Sequence, residues 1–257
     1  MWRWRTFVAN CHNAFCTESP ANLPRAATAA PPVERSLETM KIRIIVSYVP
    51  RYRGGHRWHF APPVTAIHLA ALVPAGHEVE VVHEQVRPVP ITPDVDLVAI
   101  TFFSGFARRA YEVADAYRKL GVTVIMGGPH ATYWTEEALA HADAIAIGEA
   151  DGLWPTMIED AANGKLERTY RGPAPSLDAL PTPRYDLLED RFVVRRVLQA
   201  TRGCPFSCFF CTEPYVKGKN FRYRNPAAVE ADLEFLMKRD IRRFWICLLY
   251  TSPSPRD

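Results

Sequence analysis

Three cysteines stand close together in the second half of the chain, with the spacing Cys204-x3-Cys208-x2-Cys211. Cysteine thiolates are soft ligands, and three of them without a fourth suit an iron–sulfur cluster better than a closed metal site. In a 4Fe-4S cluster, three thiolates leave one iron without a protein ligand. A small chelating cofactor can bind that iron and receive an electron, so the spacing predicts redox chemistry at this loop.

Two other roles for these thiols have less support. A zinc knuckle needs four ligands, but Cys247 is the only other cysteine nearby, and no further pairs of Cys or His follow at ligand spacing. We interpret Cys247 as a strand residue rather than a ligand. A disulfide framework is typical of small secreted scaffolds, whereas this chain has 257 residues.

The residues around the thiols extend the pattern. Phe210 stands directly before Cys211, while Arg202-Gly203 and Pro205-Phe206 flank the first cysteine. This stretch resembles the C-x3-C-x-aromatic-C signature of the radical S-adenosylmethionine superfamily, in the version found in members with an N-terminal cobalamin-binding domain. The resemblance implies that the three cysteines ligate a 4Fe-4S cluster, that S-adenosylmethionine chelates the open iron, and that Phe210 packs near its adenine.

The same resemblance implies an activity and its partners. In that family, an electron from the cluster splits a carbon–sulfur bond of S-adenosylmethionine and releases a 5'-deoxyadenosyl radical. The expected function is therefore that of an enzyme acting on a small-molecule substrate, either by methyl transfer to an unactivated carbon or by another radical reaction. An external electron donor, such as a flavodoxin or a ferredoxin, is the implied partner.

Composition and charge narrow the class of protein. The hydrophobic content of 48% and charged content of 23% are ordinary for a globular chain. A net charge of +3, without basic runs interleaved with aromatic residues, gives no sign of nucleic-acid binding. No apolar stretch approaches the length of a membrane span, and no signal-peptide core follows Arg3 and Arg5. Free thiols at cluster spacing then predict a cytoplasmic location.

Residues 40–164 alternate short apolar runs with helical patterns. The predicted strands cover residues 42–47, 78–83, 97–103, 122–126 and 144–147, and the predicted helices cover residues 64–73, 106–120, 134–141 and 153–163. This alternation predicts an α/β domain with a Rossmann-like (flavodoxin-like) parallel sheet and helices on both faces. Continuous apolar runs such as Leu97-Val98-Ala99-Ile100 fit strands covered on both sides.

Polar and glycine residues gather where the later predicted strands end. They are Thr101, Ser104, Gly127, Gly128, His130, Gly148 and Glu149. Ligands of parallel sheets bind beyond the carboxyl ends of the strands, and glycine lets the backbone approach a bulky ligand closely. Any single glycine pair is explained equally well as a turn. Their common position at one edge favours a ligand site.

This segment resembles the cobalamin-binding domain that precedes radical S-adenosylmethionine barrels. Residues 126–132 (Met-Gly-Gly-Pro-His-Ala-Thr) and Ile147-Gly148-Glu149 match phrases of that domain, and Thr101-Phe102-Phe103 stands where the wider cobalamin family has S-x-L. The resemblance implies that the strand-end residues named above contact cobalamin.

One departure concerns the cobalt ligand. The wider family carries D-x-H-x-x-G after its first strand, whereas residues 47–52 here read Ser-Tyr-Val-Pro-Arg-Tyr. Many relatives with this domain pairing also lack that histidine, so the resemblance implies cobalamin whose lower cobalt face is not held by it. His56, His59 and His130 are candidate replacements, but a lone histidine in a loop is more often a surface or hydrogen-bonding residue.

The rest of the chain divides into a leader, a connector and the start of a second domain. Residues 1–39 hold Cys11 and Cys16 without partner ligands, and we expect a disordered or misassigned leader with the native start at Met40. Residues 165–190 form a proline-rich linker that should be extended. Residues 191–247, with a helix beginning at Asn225-Pro226, predict the start of a partial (β/α) TIM-type barrel.

Residues 248–257 have no strand or helix period, and further barrel strands do not follow. This pattern predicts a C-terminally truncated chain with a non-native tail. One expected outcome is that such a fragment has no enzymatic activity on its own. Two rival functions stay open. One is a radical S-adenosylmethionine enzyme with a vestigial cobalamin domain, and the other is a non-catalytic module that binds a corrinoid or an iron–sulfur cluster.

Overall fold

A parallel sheet organises the larger part of the fold. The computed structural model describes residues 39–50, 64–188, 196–206, 208–241 and 244–247, all within the compact unit Ser36–Asp257. The predictions for the leader with Cys11 and Cys16, for His56 and His59, and for the tail lie outside these residues. Among the described helices, none has the length and apolar character that a membrane crossing requires.

The sheet has six strands in the order β2-β1-β3-β4-β5-β6, and each neighbouring pair is parallel. The strands are β1 (Lys41–Val46), β2 (Glu78–His83), β3 (Leu97–Thr101), β4 (Thr123–Gly127), β5 (Ala144–Ile147) and β6 (Thr169–Arg171). This confirms the predicted α/β fold class with a flavodoxin-like strand order.

Helices cover both faces of the sheet. They are α1 (Val64–Ala71), α2 (Ala107–Lys119), α3 (Pro129–Tyr133), α4 (Thr135–Leu139) and α5 (Trp154–Ala162). Because successive side chains of a strand point to opposite faces, Leu97 and Ala99 of β3 join one buried cluster while Val98 and Ile100 join the other. Two-sided burial is the reason that β3 is apolar without alternation.

Two local predictions differ from the structure. The helix predicted over residues 134–141 is shorter, as α4, and a separate helix, α3, precedes it because Trp134 between them is not helical (φ −115°, ψ 54°). The segment predicted as an extended linker contributes the sixth strand, whose central residue Tyr170 is buried between exposed neighbours. Three residues with a single buried side chain carry too little pattern to mark a strand.

A second strand–helix–strand unit follows. It consists of β7 (Arg196–Gln199), α7 (Pro226–Met237) and β10 (Phe244–Cys247), and β10 pairs with β7 in parallel. The Asn225 side chain caps α7 by accepting a hydrogen bond of 3.0 Å from the Ala227 amide. The unit agrees with the predicted start of a (β/α) barrel.

A two-stranded ribbon frames the cysteine loop. Its strands, β8 (Thr201–Arg202) and β9 (Arg222–Tyr223), are antiparallel, with Arg202 opposite Arg222. Helix α6 (Glu213–Val216) lies between them in the chain, directly after the third cysteine of the motif. The chain therefore enters the segment with the three cysteines after Arg202 and leaves it before Arg222, and these two residues pair in the ribbon.

Candidate functional site

A cavity of about 450 Å³ lies at the carboxyl edge of the large sheet. It is bordered by Val46 and Ser47 at the end of β1 and by Thr101, Phe102 and Phe103 at the end of β3. Between β1 and β3 the strand order reverses, which is the position where open α/β sheets bind ligands. The sequence prediction of a ligand site at this edge thus coincides with a real concavity.

Helix α6, which follows the third cysteine, supplies the opposite wall of the cavity. Gly127, Gly128, Gly148, Glu149 and Trp154 border it from the sheet side. The residues that follow the third cysteine border it from the other side, and they are Thr212, Glu213, Val216 and Lys217. The cavity therefore lies between the predicted cobalamin segment and the helix that follows the cysteine motif, and none of the three cysteines borders it.

Gly128 brings two strand ends into close approach. Its φ of +95° is unfavourable for residues with a side chain, and a Cβ there would lie 2.8 Å from Thr101 Oγ1 and 3.1 Å from the Phe102 amide nitrogen. Only glycine allows the ends of β3 and β4 to meet in this way. The result is a backbone-lined cradle of the kind that suits a large flat ligand.

Two buried polar atoms beside the cavity have unused hydrogen-bonding capacity. The hydroxyl of Ser47 and the indole nitrogen of Trp154 have no hydrogen-bond partner within the described part of the chain, and both residues are 1% exposed. Leaving a buried donor without a partner costs about 1–3 kcal/mol. A ligand that offers acceptors, such as the amide-bearing rim of a corrinoid, fits this environment.

A buried ion cluster joins the cavity to the ribbon. Nη1 of Arg202 donates to Glu149 Oε2 at 2.8 Å and to Asp151 Oδ2 at 2.6 Å, and Nη2 donates to Asp151 Oδ1 at 3.0 Å. The Arg202 side chain is 3% exposed, and its Nε donates to the side chain of Gln199 at 2.7 Å. All three nitrogens of this guanidinium therefore donate hydrogen bonds, which restricts its orientation.

Arg222 holds the same carboxylate from the other strand of the ribbon. Its Nη2 donates to Glu149 Oε1, and its guanidinium also donates to the carbonyl oxygens of Pro175 at 2.8 Å and Lys217 at 3.0 Å. Glu149 therefore lies between two arginines. Buried charges persist only when they are paired in this manner.

Arg202 and Asp151 stabilise each other's charge. Burial works to raise the pKa of Asp151, but the hydrogen bonds and charge of Arg202 outweigh it and lower that pKa below its ordinary value. Burial likewise works to lower the pKa of Arg202, and its two carboxylate partners raise it overall. The ion pair is therefore ionised on both sides throughout the neutral range.

Two titratable residues that border the cavity, Glu213 and Lys217, instead have pKa values shifted toward their neutral forms. Burial, and then the charge of Arg202, lowers the pKa of Lys217. Burial raises the pKa of Glu213, although the charge of Lys217 opposes this effect. Perturbed groups beside a cavity are typical of functional sites.

His130 and Ser104 lie apart from the other predicted cobalamin contacts. His130 is 7% exposed, and its ring nitrogens contact Ser104 Oγ at 2.9 Å and the Tyr111 hydroxyl at 3.1 Å. Its ring packs against Phe102, with the centroids 5.5 Å apart. Neither His130 nor Ser104 borders the cavity, whereas Thr101, Gly127, Gly128, Gly148 and Glu149 do.

The cysteine loop begins at a glycine with a required conformation. Gly203 has φ +80°, and a Cβ there would collide with the carbonyl oxygen of Asn220. The Cys204 amide donates to the Gly218 carbonyl oxygen at 3.3 Å, and the Cys211 amide donates to the Cys208 carbonyl oxygen at 3.0 Å. The loop is thus held against the turn that leads into β9.

The three thiols are free and belong to one loop. Cys208 is exposed, whereas Cys204 and Cys211 are partly buried. Among the described residues, no His, Cys, Asp or Glu side chains are grouped closely enough to hold a metal ion. The chemistry of the donors, three sulfurs without an oxygen or nitrogen ligand, fits iron in a sulfide cluster. Phe210 beside them is 76% exposed.

Sequence reasoning missed several residues of the site. Asp151, Arg222 and Lys217 belong to no motif that predicts a site, and Arg202 is predicted only as a residue that flanks the cysteine motif. Asp151 stands two residues after Glu149 at the end of β5, which is a weak signal by itself. No pattern in the sequence marks the pairing of Arg222 with a carboxylate 73 residues away.

No protein-family model matches the chain, but individual proteins do. Bacteriochlorophyllide d C-8(2)-methyltransferase of Chlorobaculum tepidum is 38% identical over 175 residues, or 65% of this chain and 39% of that protein. The C-12(1)-methyltransferase of the same bacterium is 34% identical over 159 residues, or 57% of this chain and 34% of that protein. The chain therefore spans little more than a third of these relatives.

A solved structure has a similar fold. The radical S-adenosylmethionine methyltransferase TsrM from Kitasatospora setae, determined with cobalamin and a 4Fe-4S cluster bound, matches with a TM-score of 0.62 at 16% identity. The match covers 81% of this chain and 47% of TsrM. The match shows that the two chains share a fold, and it agrees with the family resemblance seen in the sequence.

Proposed function

We propose that this chain forms the cobalamin site and the 4Fe-4S site of a cobalamin-dependent radical S-adenosylmethionine methyltransferase. One observation carries the proposal. The cavity at the strand-order reversal is bordered on one side by the glycine-rich sheet edge and on the other by the residues that follow Cys211. Two cofactors that exchange a methyl group must lie close together, and the proposal is supported because the segment directly after the cysteines borders the cavity.

On the sheet side, Thr101, Gly127, Gly128 and Gly148 would hold the corrinoid. Bound cobalamin would supply a cobalt centre that carries a methyl group. Glycines at strand ends can let the backbone approach a flat macrocycle. The polar groups of Ser47 and Trp154, which have no partner among the described residues, favour a ligand with polar substituents. Because both ring nitrogens of His130 have protein partners, we propose that His130 supports the cavity wall through Phe102 rather than binding cobalt.

On the loop side, Cys204, Cys208 and Cys211 would hold the cluster. The bound cluster would supply the electron that cleaves S-adenosylmethionine reductively to methionine and a 5'-deoxyadenosyl radical. Phe210 has an exposed ring that an adenine can cover, which is favourable because the ring then leaves water. Its role is to orient the nucleoside beside the loop.

The two bacteriochlorophyllide relatives are methyltransferases by name. They support methyl transfer to an unactivated carbon of a small-molecule substrate as the reaction of the intact enzyme. We further propose a flavodoxin or ferredoxin as the electron donor and a reducing, cytoplasmic setting, because free cluster thiols require one.

The proposal is tested by anaerobic reconstitution with iron, sulfide and hydroxocobalamin. We expect about four irons per chain, the electron paramagnetic resonance signal of a reduced 4Fe-4S cluster, and corrinoid absorption that stays with the protein on gel filtration. Production of 5'-deoxyadenosine from S-adenosylmethionine is a separate readout, best made on a longer relative as well.

Single Cys→Ala variants at the three motif positions should each lose the cluster, whereas Cys247→Ala should retain it. Tetrahedral zinc, or a cluster that survives loss of Cys208, would contradict the cluster assignment. A cluster without retained corrinoid would favour the enzyme with a vestigial cobalamin domain. A cluster whose spectrum does not respond to S-adenosylmethionine would favour the non-catalytic module.

A further inference from the structure

We propose that Arg202 is a positioning residue that couples occupancy of the cavity to the geometry of the cysteine loop. The inference rests on the proposed function, because it needs a ligand in the cavity and a cluster on the loop. It goes beyond that function by identifying how each site influences the other.

The first step is the position of Arg202 in the chain. It is the last residue of β8, and only Gly203 separates it from Cys204. Its guanidinium is held by both oxygens of Asp151 and one oxygen of Glu149, at 2.6–3.0 Å. A bidentate pair restricts the orientation of the guanidinium as well as its distance. The start of the cysteine loop is thereby fixed to the end of β5.

The second step is that the same carboxylates border the cavity. Glu149 and Asp151 are both 8% exposed, and both are among the residues around the cavity. A ligand that fills the cavity packs against these side chains and restricts their movement. Because hydrogen bonds hold Arg202 to these carboxylates, the restriction also applies to Cys204, which is two peptide bonds from Arg202.

The third step is the second arginine. Arg222 stands opposite Arg202 in the ribbon and binds the same Glu149. It also donates a hydrogen bond to the carbonyl oxygen of Lys217, which directly follows α6 and borders the cavity. Both strands through which the loop leaves and rejoins the fold are therefore fixed to one carboxylate. Movement of Glu149 displaces the two ends of the loop together.

A matched control exists at the opposite edge of the sheet. Arg43 is also 3% exposed and is paired with Glu80 at 2.6 Å and Asp94 at 3.3 Å. It belongs to β1, near the amino end of the strands, and does not border the cavity. Arg43→Lys therefore removes a comparable guanidinium fork without touching the site.

The experiment measures the coupling directly. The dissociation constant of hydroxocobalamin is determined by absorption titration of the 257-residue chain with and without its reconstituted cluster. In the wild type we expect about tenfold tighter corrinoid binding when the cluster is present, within the usual range of coupling between sites. Corrinoid should also shift the g-values of the reduced cluster.

In Arg202→Lys we expect the ratio of the two dissociation constants to fall to about one, and the g-values to stop responding to corrinoid. Each cofactor alone should still bind. Arg43→Lys should keep the wild-type ratio and the wild-type spectral response. A merely structural role of Arg202 would weaken both sites without removing the ratio.

The outcomes separate the inference from the proposed function. If the wild type binds no corrinoid or no cluster, both are wrong. If the wild type binds both and Arg202→Lys keeps the ratio, only the inference is overturned. Should Arg202→Lys fail to fold, Glu149→Gln is measured instead, since it keeps the shape and removes the charge that holds both arginines. The same loss of coupling is expected there, and an unchanged ratio would refute the inference.

Discussion

Arg202 Nη1 donates a hydrogen bond of 2.8 Å to Oε2 of Glu149, which lies 53 residues earlier in the chain. Each residue belongs to a motif that stands out in the sequence by itself, one at the end of a sheet strand and the other before the first cysteine. The contact brings these two motifs together in the fold. It also explains why an arginine precedes the cysteine loop: it anchors the loop instead of facing solvent.

The strength of this anchor can be measured by removing it. Arg202→Met leaves Glu149 and Asp151 buried with incomplete pairing, and breaking a buried pair in this way should lower the free energy of unfolding by about 3–5 kcal/mol. Urea denaturation followed by circular dichroism is the measurement. The control is Arg184→Met, because the ion pair of Arg184 with Asp186 is exposed and should contribute about 0–1 kcal/mol. Equal effects of the two variants would contradict the assignment of a buried anchor.

His68 predicts a pH dependence of stability. It is fully buried in α1, and neither ring nitrogen has a hydrogen-bond partner among the described residues. Burial, and secondly the charge of Arg202, lowers the pKa of His68 from 6.5 to about 3. The unfolded chain therefore binds a proton that the folded chain does not. Stability should decrease as the pH falls from about 6.5 to about 3.

His68→Leu should remove this part of the pH dependence. Between pH 6 and pH 4, the difference in unfolding free energy between variant and wild type should grow by about 1.4 kcal/mol per pH unit in favour of the variant. Urea denaturation at several pH values measures it, and all other acidic groups cancel in the difference. A difference that is constant with pH would show that His68 is protonated in the fold.

Gly128 should not tolerate a side chain. Gly128→Ala places a Cβ against the Thr101 hydroxyl at a positive φ, so we expect a loss of about 1–3 kcal/mol in unfolding free energy. Corrinoid binding should weaken as well, because the cradle is displaced. Gly105→Ala is the control, since no atom lies within 4 Å of the added Cβ. Similar losses in both variants would argue against a special role for Gly128.

Replacement of Ser47 should have different effects on the stability of the protein and on its affinity for the ligand. Ser47→Ala removes a buried hydroxyl without a partner among the described residues, so the free protein should keep its stability or gain up to about 1 kcal/mol. If the hydroxyl bonds to the bound corrinoid, the affinity for hydroxocobalamin should fall about two- to tenfold. Thermal unfolding and absorption titration give the two quantities. Unchanged affinity would remove Ser47 from the ligand contacts.

The positions of the main strands are determined locally. The apolar runs at Leu97–Thr101 and Ala144–Ile147 are strands as predicted, because residues buried on both faces of a sheet must be apolar without interruption. The weak sixth strand at Thr169–Arg171 was missed, because its pairing with β5 rather than its composition makes it a strand.

The sequence by itself determined the chemistry that the site can offer: three closely spaced thiols, and glycine and polar residues at the ends of parallel strands. Only the tertiary structure decided which of these groups meet. It packed His130 against Phe102 and hydrogen-bonded it to Ser104, and it joined Glu149 to Arg202 and Arg222. The physical reason is that motifs depend on neighbours within a few residues. Buried charges must instead find partners wherever the folded chain brings them, here 53 and 73 residues apart.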